Sequence, residues 1–262
     1  MRLAVAARKP GTQTRSRALD QSVMRAFSIL EAVARAPAPV RLSDVAQNLA
    51  LQKSTVHRLL RTLMALGYVD QEPVTDRYRP TLKAWEIGMG AVSQHPVRRA
   101  AAPFMADLHA ATAETVSLTV LSGDDVLFLD KLVSPRPMRF STGPGSRVPA
   151  PLAAGGQAIL AHAPDAAAIV ERVAARLLNR RDFDAAAFMD ELEAIRRRGY
   201  AMSRPESDVV AIAAPIMSRD GRAAGALTIS GPASRLDEPQ LAKTAEALLL
   251  ATARLAETVG QI

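Results

Sequence analysis

The chain has 262 residues, a formal net charge of +7, 48% apolar residues and no cysteine. A chain of this length forms one large domain or two modest ones. Without cysteine it can hold no disulfide, no thiolate zinc site and no thiol nucleophile, which is typical of a cytoplasmic protein. The apolar stretch LAVAA near the N-terminus is too short for a signal peptide. Because no apolar run nears the roughly 20 residues of a membrane span, we expect no membrane partner.

The positive charge is confined to the first third of the chain. Residues 1–90 hold fourteen Lys and Arg against seven Asp and Glu, whereas residues 91–262 hold nineteen of each. This asymmetry favours a nucleic-acid-binding domain followed by an electrically neutral one. The alternative is a basic tail without DNA-binding function, because residues 1–18 lack any periodicity, predict disorder and supply five of the charges.

Residues 19–81 predict three short helices. The first spans 21–35 and ends at the proline-rich APAP, because proline cannot continue a helix. Its apolar residues at helical spacing are Val23, Ala26, Phe27, Leu30, Val33 and Ala34. The second helix begins near Ser43 and the third near Ser54, and each serine is the predicted N-cap.

Two extended runs, YVDQ at 68–71 and RYRP at 77–80, flank the polar turn EPVTD and predict a two-stranded wing. Two helices joined by a tight turn and followed by such a wing form a winged helix-turn-helix. A further helix over 82–93 is interpreted as a linker helix that couples two domains and adds dimer contacts.

Residues 94–262 predict a second domain, an α+β fold on an antiparallel sheet. The predicted strands are 115–123, 126–133, 209–217 and 223–231, and the predicted helices are 97–113, 153–163, 165–178, 184–198 and 238–259. A loop rich in Pro, Gly and Ser is expected over 134–151. Gly199 suits a left-handed helix cap, Asp237 is the predicted cap of the last helix, and Gly260 is its predicted end.

The third helix carries the clearest functional pattern. Its apolar residues fall on one stripe, and Ser54, Arg58 and Arg61 centre on the opposite side. A basic face of this kind fits the major groove, where arginine can bind guanine O6 and N7 and hydroxyls can bind phosphates. The alternative is an ordinary solvated surface. The candidate DNA-binding residues are Ser43, Gln52, Lys53, Ser54, Thr55, His57, Arg58, Arg61, Arg77 and Arg79.

The run LSDVAQNLALQKSTVHRLLRTLMALGYV resembles the winged helix-turn-helix of the IclR family of bacterial transcriptional regulators. The segments QSVMRAFSILEAV and RYRPTLKAWEIG resemble the first helix of that family and its wing exit with linker helix. One departure is Ala50, where the family usually has glycine in the turn. If this position has a positive φ, alanine costs about 1 kcal/mol there.

The resemblance continues through VPAPLAAGGQAILA at 148–161 and the stretch at 196–232. It implies a GAF-like effector-binding domain, a small effector such as an organic or aromatic acid, and a homodimer or homotetramer on double-stranded operator DNA. The implied effector-binding residues are Ala150, Leu152, Gly155, Gly156, Ser203, Ala211, Thr228 and Ser230. Thr228 and Ser230 alternate with apolar neighbours and point to one face, which in the alternative faces solvent.

Three departures from the family pattern concern this second domain. Pro151 and Ala153 stand where the family often has His and Thr, Gln157 replaces the usual lysine, and about two residues are missing between Asp208 and Val209. The pocket is therefore expected to be less polar than usual. Arg139 and Arg147 are candidates for neutralising an acidic ligand.

No enzymatic pattern accompanies these features. The four histidines have no dense metal spacing, and the sequence holds no nucleophile elbow and no Walker or dinucleotide fingerprint. We therefore expect no catalytic residue, no metal and no cofactor. The expected function is a DNA-binding transcriptional regulator whose second domain binds a small effector. The alternative is a constitutive repressor whose second domain serves only for oligomerisation.

Overall fold

The structure, a computed structural model, describes residues 20–137, 142–177, 183–206 and 208–259. The described chain divides into two compact units, with the division between Met89 and Gly90. The helices of the first unit and its border are α1 (Gln21–Arg35), α2 (Leu42–Asn48), α3 (Lys53–Ala65) and α4 (Leu82–Gln94), and its strands are β1 (Val69–Gln71) and β2 (Tyr78–Pro80). This element order confirms the predicted winged helix-turn-helix followed by a further helix.

The core of the first unit lies where α1, α2 and α3 meet the wing. It contains the apolar stripe of α3, Ile29 and Val33 of α1, Val45 of α2 and Tyr78 of β2. The predicted apolar face of α1 is partly wrong, because Val23 and Phe27 are 52% and 62% exposed. Ile29, which the helical spacing also permits, is fully buried in the core of the first unit. Burial of each such side chain contributes about 1.5–3 kcal/mol.

Both predicted serine caps are wrong. The N-cap of α2 is Arg41 and that of α3 is Gln52, and neither provides a side-chain hydrogen bond. Each helix begins one residue before the serine, so Ser43 and Ser54 lie inside the first turn, where a side chain can no longer cap. The Ser43 hydroxyl donates to the Asp44 carboxylate instead.

The second unit consists of a six-stranded antiparallel sheet between two layers of helices. Its helices are α5 (Pro96–Thr112), α6 (Ala154–Leu160), α7 (Ala166–Leu177), α8 (Ala185–Arg198) and α9 (Glu238–Val259). Its strands are β3 (Thr115–Ser122), β4 (Asp125–Leu132), β5 (Arg147–Pro149), β6 (Ala201–Glu206), β7 (Val209–Met217) and β8 (Ala223–Pro232), in the order β5-β4-β3-β8-β7-β6. The predicted GAF-like α+β fold is confirmed.

Two strands at the edges of this sheet were not predicted. β5 lies in the stretch expected to be a loop, and β6 follows the end of α8. Both are short and contain proline, which is tolerated on edge strands and weakens the sequence signal of a strand. The predicted caps hold, since Gly199 has a φ of 85° and Asp237 accepts from the Gln240 N–H. The predicted helix end at Gly260 lies outside the described residues.

The two faces of the sheet differ in side-chain size. Successive residues of a strand point to opposite faces, and paired residues share a face. The row Val116, Ile229, Ile212 runs across β3, β8 and β7 and packs against α5 and α9. The neighbouring rows on the other face are Ser117–Thr228–Ala213–Ala201 and Thr115–Ser230–Ala211–Ser203. Because these side chains are small, helix α6 cannot fill all the space above them.

Candidate functional site

Helix α3 presents a basic face because its other face is held in the core. Val56, Leu59, Leu60 and Leu63 are at most 6% exposed, which fixes the rotation of the helix about its axis. The opposite side is open to solvent. Its exposed candidate residues are Gln52, Lys53, Ser54, His57, Arg58 and Arg61, and Thr55 is half-buried. The predicted basic face therefore exists on one exposed helix surface.

The cations of α3 have no partner within the part of the chain that the structure describes. The side chains of Lys53, Arg58 and Arg61 make neither an ion pair nor a hydrogen bond there. Elsewhere in the same unit, Arg35 pairs with Glu31 at 3.0 Å. The α3 face thus carries charges that are not neutralised from within, as binding to phosphates or base edges requires.

The turn that leads into α3 contains the expected positive φ. Ala50 has a φ of 51°, in the left-handed region that glycine adopts more readily than alanine. The Leu51 N–H donates to the Ala46 carbonyl and closes the turn. The turn is therefore retained and Ala50 has a positive φ, while the energetic cost of this conformation stays a prediction.

The wing places its two candidate arginines differently from those of α3. Arg77 is half-buried and donates to the Pro39 carbonyl at 3.4 Å. Arg79 pairs with Asp70 on the neighbouring strand at 2.9 Å. Burial and the Asp76 carboxylate raise the pKa of Tyr78. Ser43, the remaining candidate, is exposed on α2.

A cavity of about 290 Å³ lies above the small-residue face of the second unit. The sheet contributes its floor, and the segment around the beginning of α6 contributes a wall. The lining residues are Ser117, Thr119, Phe128, Thr142, Val148, Pro149, Leu152, Ala153, Ala154, Gly155, Ser203, Ala211, Thr228 and Ser230. The polar side chains of this lining are all hydroxyls, so the described residues around the cavity offer hydrogen bonds and no side-chain charge.

The floor hydroxyls are buried, which excludes the alternative that they face solvent. Thr228 is 8% exposed and Ser230 is 6% exposed. Within the described residues the Thr228 hydroxyl is buried without a hydrogen-bond partner. Leaving a buried polar group unpaired costs about 1–3 kcal/mol, so this hydroxyl is a point where a ligand or water gains a strong contact.

Glycine at position 155 is needed for the close approach of α6 to the floor. A Cβ atom there would overlap the Thr119 Oγ1 and lie 3.0 Å from the Thr228 Oγ1. Helix α6 has no side-chain cap, and Ala153, Ala154 and Gly155 at its beginning all line the cavity. The hydroxyls of the floor therefore stand opposite backbone groups of the helix start.

Six of the eight effector-site candidates line this cavity, and two do not. Leu152, Gly155, Ser203, Ala211, Thr228 and Ser230 belong to the lining. Ala150 is fully buried, and a Cβ at Gly156 would lie 2.7 Å from its Cα. These two residues contact each other beside the cavity and hold α6 against the preceding short 3-10 helix.

Sequence reasoning missed Ser117 and Thr119 on β3. They alternate with Val116 and Leu118 in the run TVSLTV, the same pattern that marked Thr228 and Ser230 on β8. Arg147 is not in the lining, since it lies on β5 and pairs with Asp125 at 3.4 Å. Arg139, the other candidate for an acidic ligand, lies outside the described residues.

Within the described ranges, no three carboxylate or imidazole groups come close enough together to hold a metal ion. None of the helices in those ranges has both the length and the hydropathy of a membrane span.

Comparison with known proteins decides the family. Residues 22–73 match the domain family described as "IclR helix-turn-helix domain". Residues 89–256 match the family described as "Bacterial transcriptional regulator IclR C-terminal". The chain belongs to the IclR family. It therefore carries the DNA-binding helix-turn-helix domain and the C-terminal domain of IclR-family transcriptional regulators.

Individual relatives agree with the IclR assignment. The glycerol operon regulatory protein of Streptomyces griseus is 34% identical over 82% of this chain and 86% of its own length. XynR of Escherichia coli K12, an HTH-type transcriptional regulator, is 30% identical over 92% of this chain and 97% of its own length. An IclR homologue from Microbacterium hydrocarbonoxydans, crystallised with 4-hydroxybenzoate, shares the fold at a TM-score of 0.75. The two sequences are 24% identical, and the match covers 92% of this chain and the full length of the homologue. The Streptomyces and Escherichia relatives are named as regulators.

Proposed function

We propose that this IclR-family protein binds operator DNA through the exposed face of α3 and changes that binding when a small organic or aromatic acid occupies the cavity. The observation that carries the proposal is the set of unpaired cations on α3. A helix fits the major groove, and its free guanidinium groups can make paired hydrogen bonds to guanine. Lys53, Ser54 and Thr55 at the helix start suit phosphate oxygens. Ser43 and Gln52 are assigned phosphate contacts, and His57 lies beside the arginines.

The cavity suits a small ligand with a hydrogen-bonding end. Its volume of about 290 Å³ is at the lower end for small-molecule pockets. A carboxylate buried without a cation needs several donors, and the floor hydroxyls with the uncapped start of α6 provide them. Phe128, Val148 and Leu152 provide apolar contact for a ring or short chain. The residues assigned to the ligand are the six lining candidates together with Ser117 and Thr119, while Ala150 and Gly156 act by positioning α6.

The assembly we propose is a homodimer or homotetramer. No side chain of helix α4 is fully buried among the described residues, and Leu82, Trp85 and Ile87 on it are more than half exposed. Exposed apolar side chains of this size mark association surfaces. A dimer places two copies of α3 on half-sites one helical turn apart or a multiple of it. The domains proposed are a tail at 1–18, a DNA-binding domain at 19–81, a linker helix at 82–93 and an effector domain at 94–262.

The second candidate function is a constitutive repressor whose C-terminal domain only oligomerises. The lack of charged side chains in the described lining favours it. Against it stands the buried, unpartnered hydroxyl of Thr228, since a domain with no ligand gains stability from an apolar residue there.

The DNA part is tested by titrating the full chain into labelled duplex from upstream of its own gene, at fixed salt, against random duplex. The Arg58→Ala protein should bind the specific duplex about 1–3 kcal/mol more weakly. The matched control is Arg35→Ala, which removes an exposed arginine that pairs with Glu31 on α1 and should leave affinity unchanged. Equal binding of both duplexes by the wild type would contradict the proposal.

The ligand part is tested by thermal unfolding with a panel of small carboxylic acids that begins with 4-hydroxybenzoate. An acid that occupies the cavity at 100 times its Kd should stabilise the protein by about 2.7 kcal/mol. Gly155→Ala should abolish this stabilisation by filling the cavity base. Its control, Gly90→Ala, adds the same methyl group where no atom lies within 4 Å. A panel in which no acid stabilises the wild type would favour the constitutive repressor.

A further inference from the structure

The wing of the first unit is acidic, although it follows the basic helix α3. Residues 69–80 contain Asp70, Glu72 and Asp76 against Arg77 and Arg79, a net charge of −1. The turn at 72–76 carries two carboxylates and no cation, with Val74 at its tip 94% exposed. Carboxylates at a wing tip repel DNA phosphates, because like charges that approach each other raise the energy of the complex.

The two wing arginines are already used within the unit. The Arg79 guanidinium lies 2.9 Å from the Asp70 carboxylate, so a phosphate contact would leave Asp70 beside the negatively charged backbone. Arg77 is turned towards the Pro39 carbonyl and is half-buried. Arg79 is therefore neutralised by Asp70, and Arg77, whose charge is not neutralised, is held back by its half-buried position and its contact with the Pro39 carbonyl.

Arg58 and Arg61 are in the opposite situation, since both are exposed and have no partner in the described part of the chain. They are three residues apart on α3, which corresponds to about 4.5 Å along the helix axis. Stacked bases of one strand are about 3.4 Å apart. A helix that lies along the groove therefore brings the two guanidinium groups to base pairs one or two steps apart.

We propose that base readout by this protein is carried by α3 alone, with Arg58 and Arg61 each binding one guanine one or two base pairs apart, while the wing makes no phosphate contact. This inference rests on the proposed DNA-binding function. The half-site it describes is short, because the exposed face from Lys53 to Arg61 extends about 12 Å, or three to four base pairs.

The test is in vitro selection from a random duplex library with the full-length wild type, Arg58→Ala, Arg61→Ala and the double variant Asp70→Asn/Arg79→Gln. The wild type should select a motif with two guanines one or two base pairs apart in each half-site. Each alanine variant should lose preference at a different one of these guanines and bind the wild-type duplex about 5- to 150-fold more weakly. Replacing either guanine by 7-deazaguanine, which lacks N7, should weaken wild-type binding at that position alone.

Two further variants separate base recognition from the effects of charge and of folding. Arg58→Lys keeps the charge but loses the planar fork of donors, so its preference for guanine should weaken while its affinity for random duplex stays within twofold. The double variant Asp70→Asn/Arg79→Gln removes both partners of the wing ion pair, leaves the net charge of the wing at −1, and should keep the wild-type motif and affinity. A changed motif or a fivefold weaker binding in this double variant, or an unchanged motif in both alanine variants, would overturn the inference. If the wild type selects no motif at all, the result contradicts the proposed DNA-binding function itself. That outcome differs from a wild-type motif that the alanine variants leave unchanged, which contradicts only the assignment of Arg58 and Arg61.

Discussion

The exposed face of α3 and the floor of the cavity both hold polar groups without a partner among the described residues, but the physical cost of this state differs. Arg58 and Arg61 are solvated, and water compensates their missing partners. The Thr228 hydroxyl is buried, and no hydrogen bond within the described chain compensates the loss of water. An unpaired group is therefore a stronger sign of a ligand inside the second unit than on the surface of the first.

The comparison depends on the two sites being supported by separate cores. The core behind α3 consists of residues of the first unit, and the cores on the two sheet faces consist of residues of the second. Leu60 in α3 and Leu160 in α6 are both fully buried and allow a matched test, because the same truncation can be made in each core.

The largest effect is expected from Leu60→Ala and Leu160→Ala. Each should lower the free energy of unfolding of its own unit by about 2–5 kcal/mol, because a cavity replaces the removed methyl groups. Native-state amide hydrogen exchange in urea measures the two units separately, through the amides of α3 and of β3. Only Leu60→Ala should lower the protection of α3, and only Leu160→Ala should impair stabilisation by an acid. An equal loss of α3 protection in both variants would contradict separate cores.

A smaller effect measures the unpaired hydroxyl directly. Thr228→Val replaces the hydroxyl by a methyl group of similar shape and should leave the ligand-free stability unchanged or raise it by about 1 kcal/mol. Thr115→Val is the matched control on β3, since its hydroxyl accepts from the buried Ser134 N–H at 3.1 Å. It should lower the unfolding free energy by about 1–3 kcal/mol, because that N–H loses its partner. Urea unfolding followed by circular dichroism gives both values.

Equal destabilisation by the two valine substitutions would show that Thr228 has a partner after all. In that case the cavity floor would resemble the α3 surface in being fully compensated, and the difference between the two sites would disappear.

The two sites also differed in how far the sequence revealed them. The α3 face follows from local periodicity, since Val56, Leu59, Leu60 and Leu63 fix which side is exposed. The cavity depends on cross-strand pairing between residues more than a hundred positions apart, such as Ser117 with Thr228. The alternation on β8 led to the prediction of Thr228 and Ser230 as site residues, whereas the same alternation on β3 was not connected with the site. Local patterns also could not show that Ala150 and Gly156 lie beside the cavity and not in its wall. The edge strands β5 and β6 escaped prediction because their short runs carry little alternation.

The smallest expected effect concerns the turn that positions α3. Ala50 has a φ of 51°, which costs an L-residue about 1–2 kcal/mol, and glycine avoids this cost but gains entropy in the unfolded chain. Ala50→Gly should therefore raise the unfolding free energy of the first unit by about 0.5–1 kcal/mol, measured by hydrogen exchange of the α3 amides. Ala32→Gly, the same substitution inside α1, should lower it by about 1 kcal/mol, because that position has helical geometry. If both glycines destabilise the unit equally, the turn stores no strain, and α3 is positioned by its core contacts alone.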